Sequence, residues 1–366
     1  MGLSPEQADD NSVIRGKVED RYMSAADQVD LIAKEKFDGD DLPPLQIESE
    51  FGKAVVAQVS QTVVGQSEVV ERVLIALLTG GHLLLEGVPG IAKTLLVQSV
   101  GKAINLQFKR VQFTIDLLPS DILGAEVLDQ SKGEFRIHKG PIFTNLLLAD
   151  EINRASPKVQ SALLEAMQER KVSLGEETHA LPAPFLVIAT QNPVEQAGTF
   201  ELPEAQLDRF MMCHRLRYPT ELEEAEVVRR TLKLKLLRQG DGAVPQSMFD
   251  AIDGRQSLEI ADLSDAMDAV QRVHVSEVFI QDCVKLVNAT RHHRHLVLGC
   301  SPRAILSLVQ ASRARAYLYG RDYVVPEDLF CLAEDVILHR VRLNYEAIAD
   351  GITGRQLLDD LVGSIF

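Results

Sequence analysis

The chain has 366 residues, of which 46% are apolar, so it can form about two domains of ordinary size. Its formal net charge of −15 argues against broad, non-specific binding to DNA, and none of its apolar runs approaches the roughly eighteen residues of a membrane span. Because its 4 cysteines include no CxxC pair, we expect neither a zinc framework nor a disulfide scaffold, and we predict a soluble cytoplasmic protein.

The N-terminal residues 1–45 are rich in acidic side chains and end at Pro43–Pro44. Such a segment buries too little apolar surface to offset the entropy lost on ordering, so we predict a disordered tail. The alternative is a docked helix or a partner-binding motif near Ser24 and Asp27, which have the spacing of a capping box.

From residue 50 onward, helices alternate with short apolar strands. Helices are predicted over 50–61, 67–79, 93–104, 157–170 and 204–209. Strands are predicted over 82–86, 109–113, 145–149, 185–190 and 211–216. Near-continuous apolar strands that alternate with helices indicate an α/β domain built on a parallel five-stranded sheet with both faces covered. Two further pairs of short strands, 125–138 and 171–181, contain a glycine at the turn and predict hairpins inserted into this pattern.

The predicted strand 82–86 leads directly into a glycine-containing loop and a helix. The loop Gly87-Val88-Pro89-Gly90-Ile91-Ala92-Lys93-Thr94 has the spacing of a phosphate-binding loop, whose backbone N–H groups and helix N-terminus attract phosphate oxygens. We expect Lys93 to reach the β- and γ-phosphates of ATP and the Thr94 hydroxyl to ligate Mg²⁺. Ala92 replaces the usual second glycine, which we expect the loop to tolerate through a negative φ. An ordinary strand–turn–helix connection is the alternative.

Polar side chains follow two further predicted strands. Asp150 and Glu151 come after the apolar run Leu146–Ala149, at the edge of the sheet where ligands bind to α/β proteins. We expect Asp150 to hold Mg²⁺ and Glu151 to polarise the attacking water. Asn192 ends the next strand, and we expect it to position that water or to contact the γ-phosphate. The alternative is that Asn192-Pro193 only begins a turn.

From residue 220 onward the pattern is almost entirely helical. Pro219 therefore marks the predicted boundary between an α/β domain, residues 46–219, and an all-α domain, residues 220–366. Thr220 and Glu223 have capping-box spacing at the start of a helix predicted over 221–238. Further helices are predicted over 260–272, 276–291, 303–319, 326–340 and 357–366.

The segment Ser301-Pro302-Arg303 has the form of a helix N-terminus, with an N-cap serine and a proline at the first helical position. A cation in the first turn of a helix is disfavoured by the helix dipole, and an anionic ligand would explain Arg303. The alternative is that Arg303 is a solvated surface residue.

Taken together, these segments make the chain resemble the MoxR family of AAA+ ATPases over roughly residues 50–340. The resemblance is carried by VVGQ at 63–66, EGVPGIAKT at 86–94, FTIDLLPSDILG at 113–124, GPIFTNLLLADEINRASPKVQSALLEAMQER at 140–170, ATQNPVEQAGTFELPEAQLDRF at 189–210 and GCSPRA at 299–304. Alanine at position 92 is itself usual in this family.

The resemblance implies a helical lid and a nucleotide bound between the subunits of a homo-oligomeric ring, usually a hexamer. Gly65, Gln66 and Leu95 then join residues 87–94 and Asp150 as the predicted nucleotide-binding set. The two hairpins resemble the helix-2 and pre-sensor-1 inserts, which implies that they face the central pore or a client protein.

Two arginines gain roles from the same resemblance. Arg209 looks like the arginine finger offered to a neighbouring subunit, and Arg303 looks like the sensor 2 arginine. The sequence leaves open that Arg209 pairs within its own subunit with Asp208 or Glu204. It also leaves open three rival fingers, Arg154, Arg215 and Arg217.

The family implies an ATP-hydrolysing chaperone that matures partner protein complexes, often with von Willebrand factor A domain proteins as partners. One alternative is the ATPase subunit of a magnesium-chelatase-like metal insertase. Another is a DNA-acting motor, although the sequence contains no appended DNA-binding module. A third is a nucleotide-gated scaffold that binds ATP with little turnover.

Overall fold

A computed structural model of the chain describes residues 47–88, 90–131, 133–193, 198–239, 242–251, 257–363 and 365. The predicted disordered tail therefore lies outside the described residues, and so does Pro89 of the predicted phosphate loop. In the described parts of the chain, no helix is both long enough and apolar enough to cross a membrane.

The first part of the chain forms the predicted alternation of helices and strands. In chain order its elements are α1 (Glu50–Val59), α2 (Ser67–Thr79), β1 (Leu83–Glu86), α3 (Lys93–Ala103), β2 (Phe108–Gln112), α4 (Pro119–Leu123), β3 (Gly124–Asp129), β4 (Glu134–Lys139), β5 (Leu146–Asp150), α5 (Pro157–Glu169), β6 (Lys171–Leu174), β7 (Glu177–Ala180), β8 (Leu186–Gln191), α6 (Glu204–Leu207) and β9 (Met212–Arg215). A short 3₁₀ turn, Ile152–Arg154, follows β5.

Five of these strands form the predicted parallel sheet, in the order β2-β5-β8-β1-β9. Successive side chains of a strand point to opposite faces. In β1, Leu83 and Leu85 therefore belong to one buried cluster, and Leu84 belongs to the cluster on the other face. Both faces are covered, which explains why the strands read as continuous apolar runs.

The two faces have different coverings. Helices α1, α2 and α3 pack on the first face together with helices from the C-terminal part of the chain. Helix α5 and the predicted hairpins β3–β4 and β6–β7 lie with the second cluster. The sheet edge at the carboxyl ends of β1, β5 and β8 is where the candidate site residues lie.

The C-terminal part is mostly helical, as predicted. In chain order its elements are α7 (Glu221–Leu232), β10 (Leu236–Gln239), β11 (Gly242–Pro245), α8 (Ile260–Arg272), α9 (Glu277–His292), β12 (Leu296–Leu298), α10 (Pro302–Leu318), α11 (Pro326–Ile337), β13 (Arg342–Leu343), α12 (Tyr345–Ala349) and α13 (Gly354–Gly363). The capping box at the start of α7 is confirmed, because Thr220 and Glu223 exchange side-chain-to-backbone hydrogen bonds of 2.8 and 3.3 Å.

Two strand pairs that the sequence analysis did not predict interrupt the helices of this region. The helix predicted over 221–238 ends at Leu232, and residues 236–239 instead pair with β11 in a hairpin. The segment Lys233–Leu236 alternates polar and apolar side chains, a pattern that suits a strand, and Gly242 follows close behind. The second pair, β12–β13, is only a few residues long.

Buried ion pairs join α2 to the C-terminal helices. Arg72 of α2 donates to Asp335 of α11 at 2.5 Å, and Asp335 also contacts the Nδ1 atom of His214 on β9 at 3.0 Å. Glu71, the neighbour of Arg72, pairs with Arg315 of α10 at 3.1 Å. Because the first hydrophobic cluster also contains side chains from both sides of Pro219, the boundary at this residue stays a prediction.

Candidate active site

The connection between β1 and α3 is built around a close approach that requires glycine. The N–H of Gly87 donates to the carbonyl of Gln191 at 3.2 Å, which holds the loop against the end of β8. A Cβ atom at Gly87 would lie 2.8 Å from Ile91 Cδ1 and 2.9 Å from Leu216 Cβ. A larger residue would therefore push the loop away from the sheet.

Ala92 corrects one expectation about this loop. Its φ is +57°, so the predicted negative φ is wrong. Ala92 is the N-cap of α3, and the left-handed conformation lets the chain turn abruptly from the loop into the helix. An L-residue in this conformation costs about 1–2 kcal/mol relative to its preferred state, which places local strain beside the candidate site.

Lys93, Thr94 and Leu95 form the first turn of α3, where all three side chains are partly buried. The Lys93 ammonium donates to the carbonyl of Gly87 at 2.6 Å, back across the loop. Burial lowers the pKa of Lys93, while the negative charges of Asp150 and Glu151 oppose that shift. Lys93 therefore lies close enough to Asp150 and Glu151 for their charges to act on its ammonium group.

Both carboxylate oxygens of Asp150 are engaged by side chains of the neighbouring strands. Arg110 of β2 donates to Asp150 Oδ2 from Nη2 at 2.6 Å and from Nε at 3.0 Å. The hydroxyl of Thr190 on β8 donates to Asp150 Oδ1 at 2.6 Å. The carboxylate is thus fixed at the end of β5 with its charge neutralised by Arg110.

Glu151 is held in a strained backbone conformation. Its φ is +56°, and its N–H donates to the Thr190 hydroxyl oxygen at 2.9 Å. Its carboxylate accepts a hydrogen bond from Gln112 Nε2 at 2.8 Å and pairs with Arg154 at 3.2 Å. An acidic residue with a left-handed backbone conformation, at the end of a central strand, is the kind of strained residue that is common at functional sites.

Asn192 follows β8 and is 7% exposed, at the same sheet edge as Asp150. Its carbonyl accepts a hydrogen bond from Asn153 Nδ2 at 3.5 Å, so Asn192 lies close to the 3₁₀ turn after Glu151. The structure therefore brings Lys93, the acidic pair and Asn192 to one end of the sheet.

Gly65 and Gln66 lie just before α2 and close to the start of α7. Both have positive φ, of +67° and +56°. Gln66 Nε2 donates to the carbonyl of Arg217 at 3.1 Å, and a Cβ atom at Gly65 would lie 2.1 Å from a carboxylate oxygen of Glu223. They therefore lie against residues 217–223, and the preceding residue Leu216 contacts Gly87.

The two acids that could have paired with Arg209 are already paired with the C-terminal part of the chain. Asp208 accepts hydrogen bonds from Arg340 at 3.0 Å, Ser301 at 2.8 Å and Arg303 at 3.5 Å. Glu204 pairs with Arg342 at 2.7 Å. Over the described ranges, Arg209 itself has no acidic partner within ion-pair distance.

Two of the three rival arginines form ion pairs within their own chain. Arg154 pairs with Glu151 at 3.2 Å, and Arg215 pairs with Glu86 at 3.0 Å. Arg217 is exposed and stays a rival to Arg209. Arg303 begins α10 as predicted, with its N–H donating to the Ser301 hydroxyl oxygen at 3.1 Å, and its side chain is 49% exposed.

The donor set of this sheet edge fits a nucleotide with Mg²⁺. Thr94 and Asp150 offer a hydroxyl and a carboxylate, the hard oxygen ligands that Mg²⁺ takes alongside substrate phosphates. Among the described residues, no cluster of three or more His, Cys, Asp or Glu side chains could hold a metal ion by itself. One hydroxyl and one carboxylate suit a Mg²⁺ ion that arrives with phosphate ligands.

Sequence reasoning missed three side chains that contact the acidic pair, namely Arg110, Gln112 and Thr190. Arg110 and Gln112 are two residues apart on β2, and Gln112 is directly paired with Asp150 in the strand register. The available signal was a polar residue at the carboxyl end of a strand, which β2 and β8 share with β5.

Comparisons with known proteins match most of the chain. Residues 82–212 match the family model of the ATPase family associated with various cellular activities (AAA), and residues 288–361 match the AAA lid domain. Chaperone MoxR1 of Mycobacterium tuberculosis is 41% identical over 319 residues, which cover 85% of this chain and 80% of that protein.

Two other relatives are similar over comparable lengths. The uncharacterized Bacillus subtilis protein YeaC is 40% identical over 89% of this chain and 96% of its own length. Protein MoxR of Methylorubrum extorquens is 30% identical over 84% of this chain and 92% of its own length. A crystal structure of a proposed ATPase from Cytophaga hutchinsonii superposes with a TM-score of 0.76 at 43% identity, covering 86% of this chain and 94% of that one.

Proposed function

This chain belongs to the MoxR family of AAA+ ATPases, and we propose that it binds ATP with Mg²⁺, hydrolyses it, and uses the cycle to remodel partner protein complexes. The observation that carries the proposal is the meeting of a phosphate-loop lysine with an acidic pair at one sheet edge. Lys93 lies within the field of Asp150 and Glu151, and Asn192 lies at the end of the adjacent strand.

In this proposal the residues of one subunit divide the chemistry among them. The loop of residues 87–94 and the N-terminus of α3 bind the phosphates, with Lys93 reaching the transferred group. Glu151 accepts a proton from the attacking water, and Asn192 orients that water. Mg²⁺, held by Thr94 and Asp150, would neutralise the charge of the β- and γ-phosphates.

The Glu151 carboxylate must be free to act as a base, and its present contacts are compatible with release. Gln112 and Arg154 hold it through one hydrogen bond and one ion pair at a surface where Arg154 is 41% exposed. Such exposed contacts contribute little stability, so a bound nucleotide and water can replace them.

The test of this chemistry is nucleotide binding and phosphate release by the full chain. Lys93→Ala should lose both binding and turnover. Glu151→Gln should keep nucleotide affinity near the wild-type value and lose turnover by a factor of about 10² or more. Binding by the wild type without phosphate release that depends on Glu151 would contradict hydrolysis and favour a nucleotide-gated scaffold.

We further propose that the enzyme acts as a homo-oligomeric ring, with residues 46–219 as the ATPase core and 220–366 as the lid. Arg209 is then the finger offered to the neighbouring subunit. The pairing of Asp208 and Glu204 with Arg340 and Arg342 supports this, because it leaves the Arg209 guanidinium available to a phosphate. Arg303, at the start of α10, is the proposed sensor 2 residue.

For the partner protein, we propose that the hairpin β3–β4 provides the contact surface. Its side chains Leu128 and Phe135 are 46% and 66% exposed and are paired across the two strands, so they form an exposed apolar patch on one face of the hairpin. Partners with von Willebrand factor A domains are the proposed class, and the cytoplasm is the proposed location. Leu128→Ser with Phe135→Ser should preserve basal ATP hydrolysis and abolish its stimulation by such a partner, whereas retained stimulation would contradict the assignment.

A further inference from the structure

Arg110 is positioned by the sheet to face the proposed metal-binding carboxylate. It lies on the edge strand β2, which pairs with β5 so that Arg110 is opposite Leu148 and Gln112 is opposite Asp150. Residues two apart on a strand share a face, so Arg110 and Gln112 point to the same side. Arg110 also donates to Gln112 Oε1 at 2.8 Å, and Gln112 in turn donates to Glu151.

Arg110 donates two hydrogen bonds to the same carboxylate oxygen of Asp150. Nη2 and Nε both donate to Oδ2, at 2.6 and 3.0 Å, while Thr190 occupies Oδ1. A guanidinium cannot lose its proton in a protein, so the positive charge of Arg110 stays next to the Asp150 carboxylate at any accessible pH. A dication at the same carboxylate would be repelled by this fixed charge unless Arg110 moved.

Arg110 is able to move. Its side chain is 46% exposed, whereas that of Asp150 is 14% exposed. The arginine therefore reaches the carboxylate from the solvent side, and its departure would leave Asp150 held by Thr190 alone.

We propose that Arg110 is a displaceable counter-ion of Asp150: it neutralises the carboxylate while no metal is bound and lowers the affinity of the site for Mg²⁺. This inference rests on the proposed function, in which Asp150 serves Mg²⁺ beside ATP.

The size of the effect follows from Coulomb's law. A unit charge about 5 Å from a dication changes the metal affinity by about tenfold, even at the dielectric constant of water. Arg110→Gln should therefore bind Mg²⁺ about tenfold more tightly than the wild type. Arg110→Lys keeps the charge and should stay near the wild type.

The measurement is the affinity of the full chain for a fluorescent, non-hydrolysable ATP analogue, once in excess Mg²⁺ and once in EDTA. The ratio of the dissociation constant in EDTA to that in excess Mg²⁺ reports how strongly Mg²⁺ and the nucleotide increase each other's affinity. The matched control is Lys109→Gln, which removes the same charge from an exposed neighbour on the opposite face of the strand.

The proposal predicts a ratio about ten times larger in Arg110→Gln than in the wild type, with Lys109→Gln unchanged. An unchanged or smaller ratio in Arg110→Gln would overturn it and would make Arg110 an orienting partner of Asp150. If the wild type binds the analogue and the ratio in Arg110→Gln is unchanged or smaller, only the proposed role of Arg110 fails. If the wild type binds no analogue in either condition, the proposed function fails as well.

Discussion

Replacing Asp335 by asparagine should lower the free energy of unfolding by about 3 kcal/mol, because it removes one partner of a buried ion pair. Asp335 of α11 is 6% exposed and Arg72 of α2 is 4% exposed, and they are joined at 2.5 Å. His214 contacts the other carboxylate oxygen at 3.0 Å. The variant would leave Arg72 buried with one charged partner fewer.

The magnitude follows from what remains around Arg72. Removing one member of a buried pair costs about 3–5 kcal/mol when the other charge is left uncompensated. Arg72 keeps Glu71 at 2.9 Å and the carbonyl of Cys331 at 3.0 Å, so the lower end of that range applies. The lost stability should come from the packing of α2 against α11, because the Arg72–Asp335 pair joins the sheet domain to the helical part.

The pH dependence of the effect has a definite sign. Burial would raise the pKa of Asp335, but the charges of Arg72 and His214 outweigh it and lower that pKa below 3.8. A carboxyl whose folded-state pKa is depressed stabilises the protein above its unfolded-state pKa and loses that contribution as the pH falls. The difference between wild type and variant should therefore shrink as the pH falls below about 4.

The assay is urea unfolding followed by circular dichroism, with Lys285→Gln as the matched control. Lys285 pairs with Asp282 at 3.0 Å but is 57% exposed, so its loss should cost less than about 1 kcal/mol. A cost below about 1 kcal/mol for Asp335→Asn as well would contradict a role of the Arg72–Asp335 pair in holding the two parts together.

Three further predictions concern other sites. Burial lowers the pKa of His82 to about 4. The stabilising contribution of the neutral ring, present above the unfolded-state pKa of 6.5, should therefore fall by about 2 kcal/mol between pH 7 and pH 5. The free energy of unfolding of His82→Gln should lack this dependence on pH. Ala92→Gly should relieve the left-handed strain and raise the free energy of unfolding by about 0.5–1 kcal/mol; a decrease in thermal-unfolding measurements would contradict the strain. Asp208→Asn should cost about 2–3 kcal/mol in urea unfolding, because it leaves the buried guanidinium of Arg340 without its carboxylate; a loss under about 0.5 kcal/mol would contradict that role.

The elements around the site could be predicted because local signals agree there. The strands β1, β5 and β8 are apolar runs that end at glycine, acidic or polar residues, and the helix predicted over 260–272 matches α8 at both ends. Spacing alone places Lys93 and Thr94 after the loop, and strand order then brings Asp150 and Asn192 near them.

Other features depend on contacts that a linear pattern does not contain. Arg110 and Asp150 are 40 residues apart, and their contact depends on the register of β2 against β5. The partners of Asp208 lie 93 and 132 residues further along the chain, so its pairing could not be inferred from neighbours. The left-handed Ala92 was missed because alanine normally signals helix, and tertiary packing of the loop overrides that preference.

The segment after α7 shows how a local pattern can fit two structures. Residues 233–236 alternate lysine and leucine, and they follow a helix with a strong capping box. Continuation of the helix was the simpler interpretation, but the chain instead turns into the β10–β11 hairpin. Propensity alone does not decide between the two when the segment is exposed.

In the proposed ring the active site is shared between copies of this chain, and the sharpest test of this arrangement is a mixture of two inactive variants. Glu151→Gln lacks the base but keeps Arg209, whereas Arg209→Ala keeps the base and lacks the finger. Each alone should hydrolyse ATP at least about 10²-fold more slowly than the wild type.

In an equal mixture, a site is complete when an Arg209→Ala subunit meets a Glu151→Gln neighbour. Phosphate release is therefore expected to recover to about a quarter of the wild-type rate in randomly mixed rings. A mixture that stays as inactive as its components, while size-exclusion chromatography shows mixed oligomers, would contradict a finger that acts across the subunit interface.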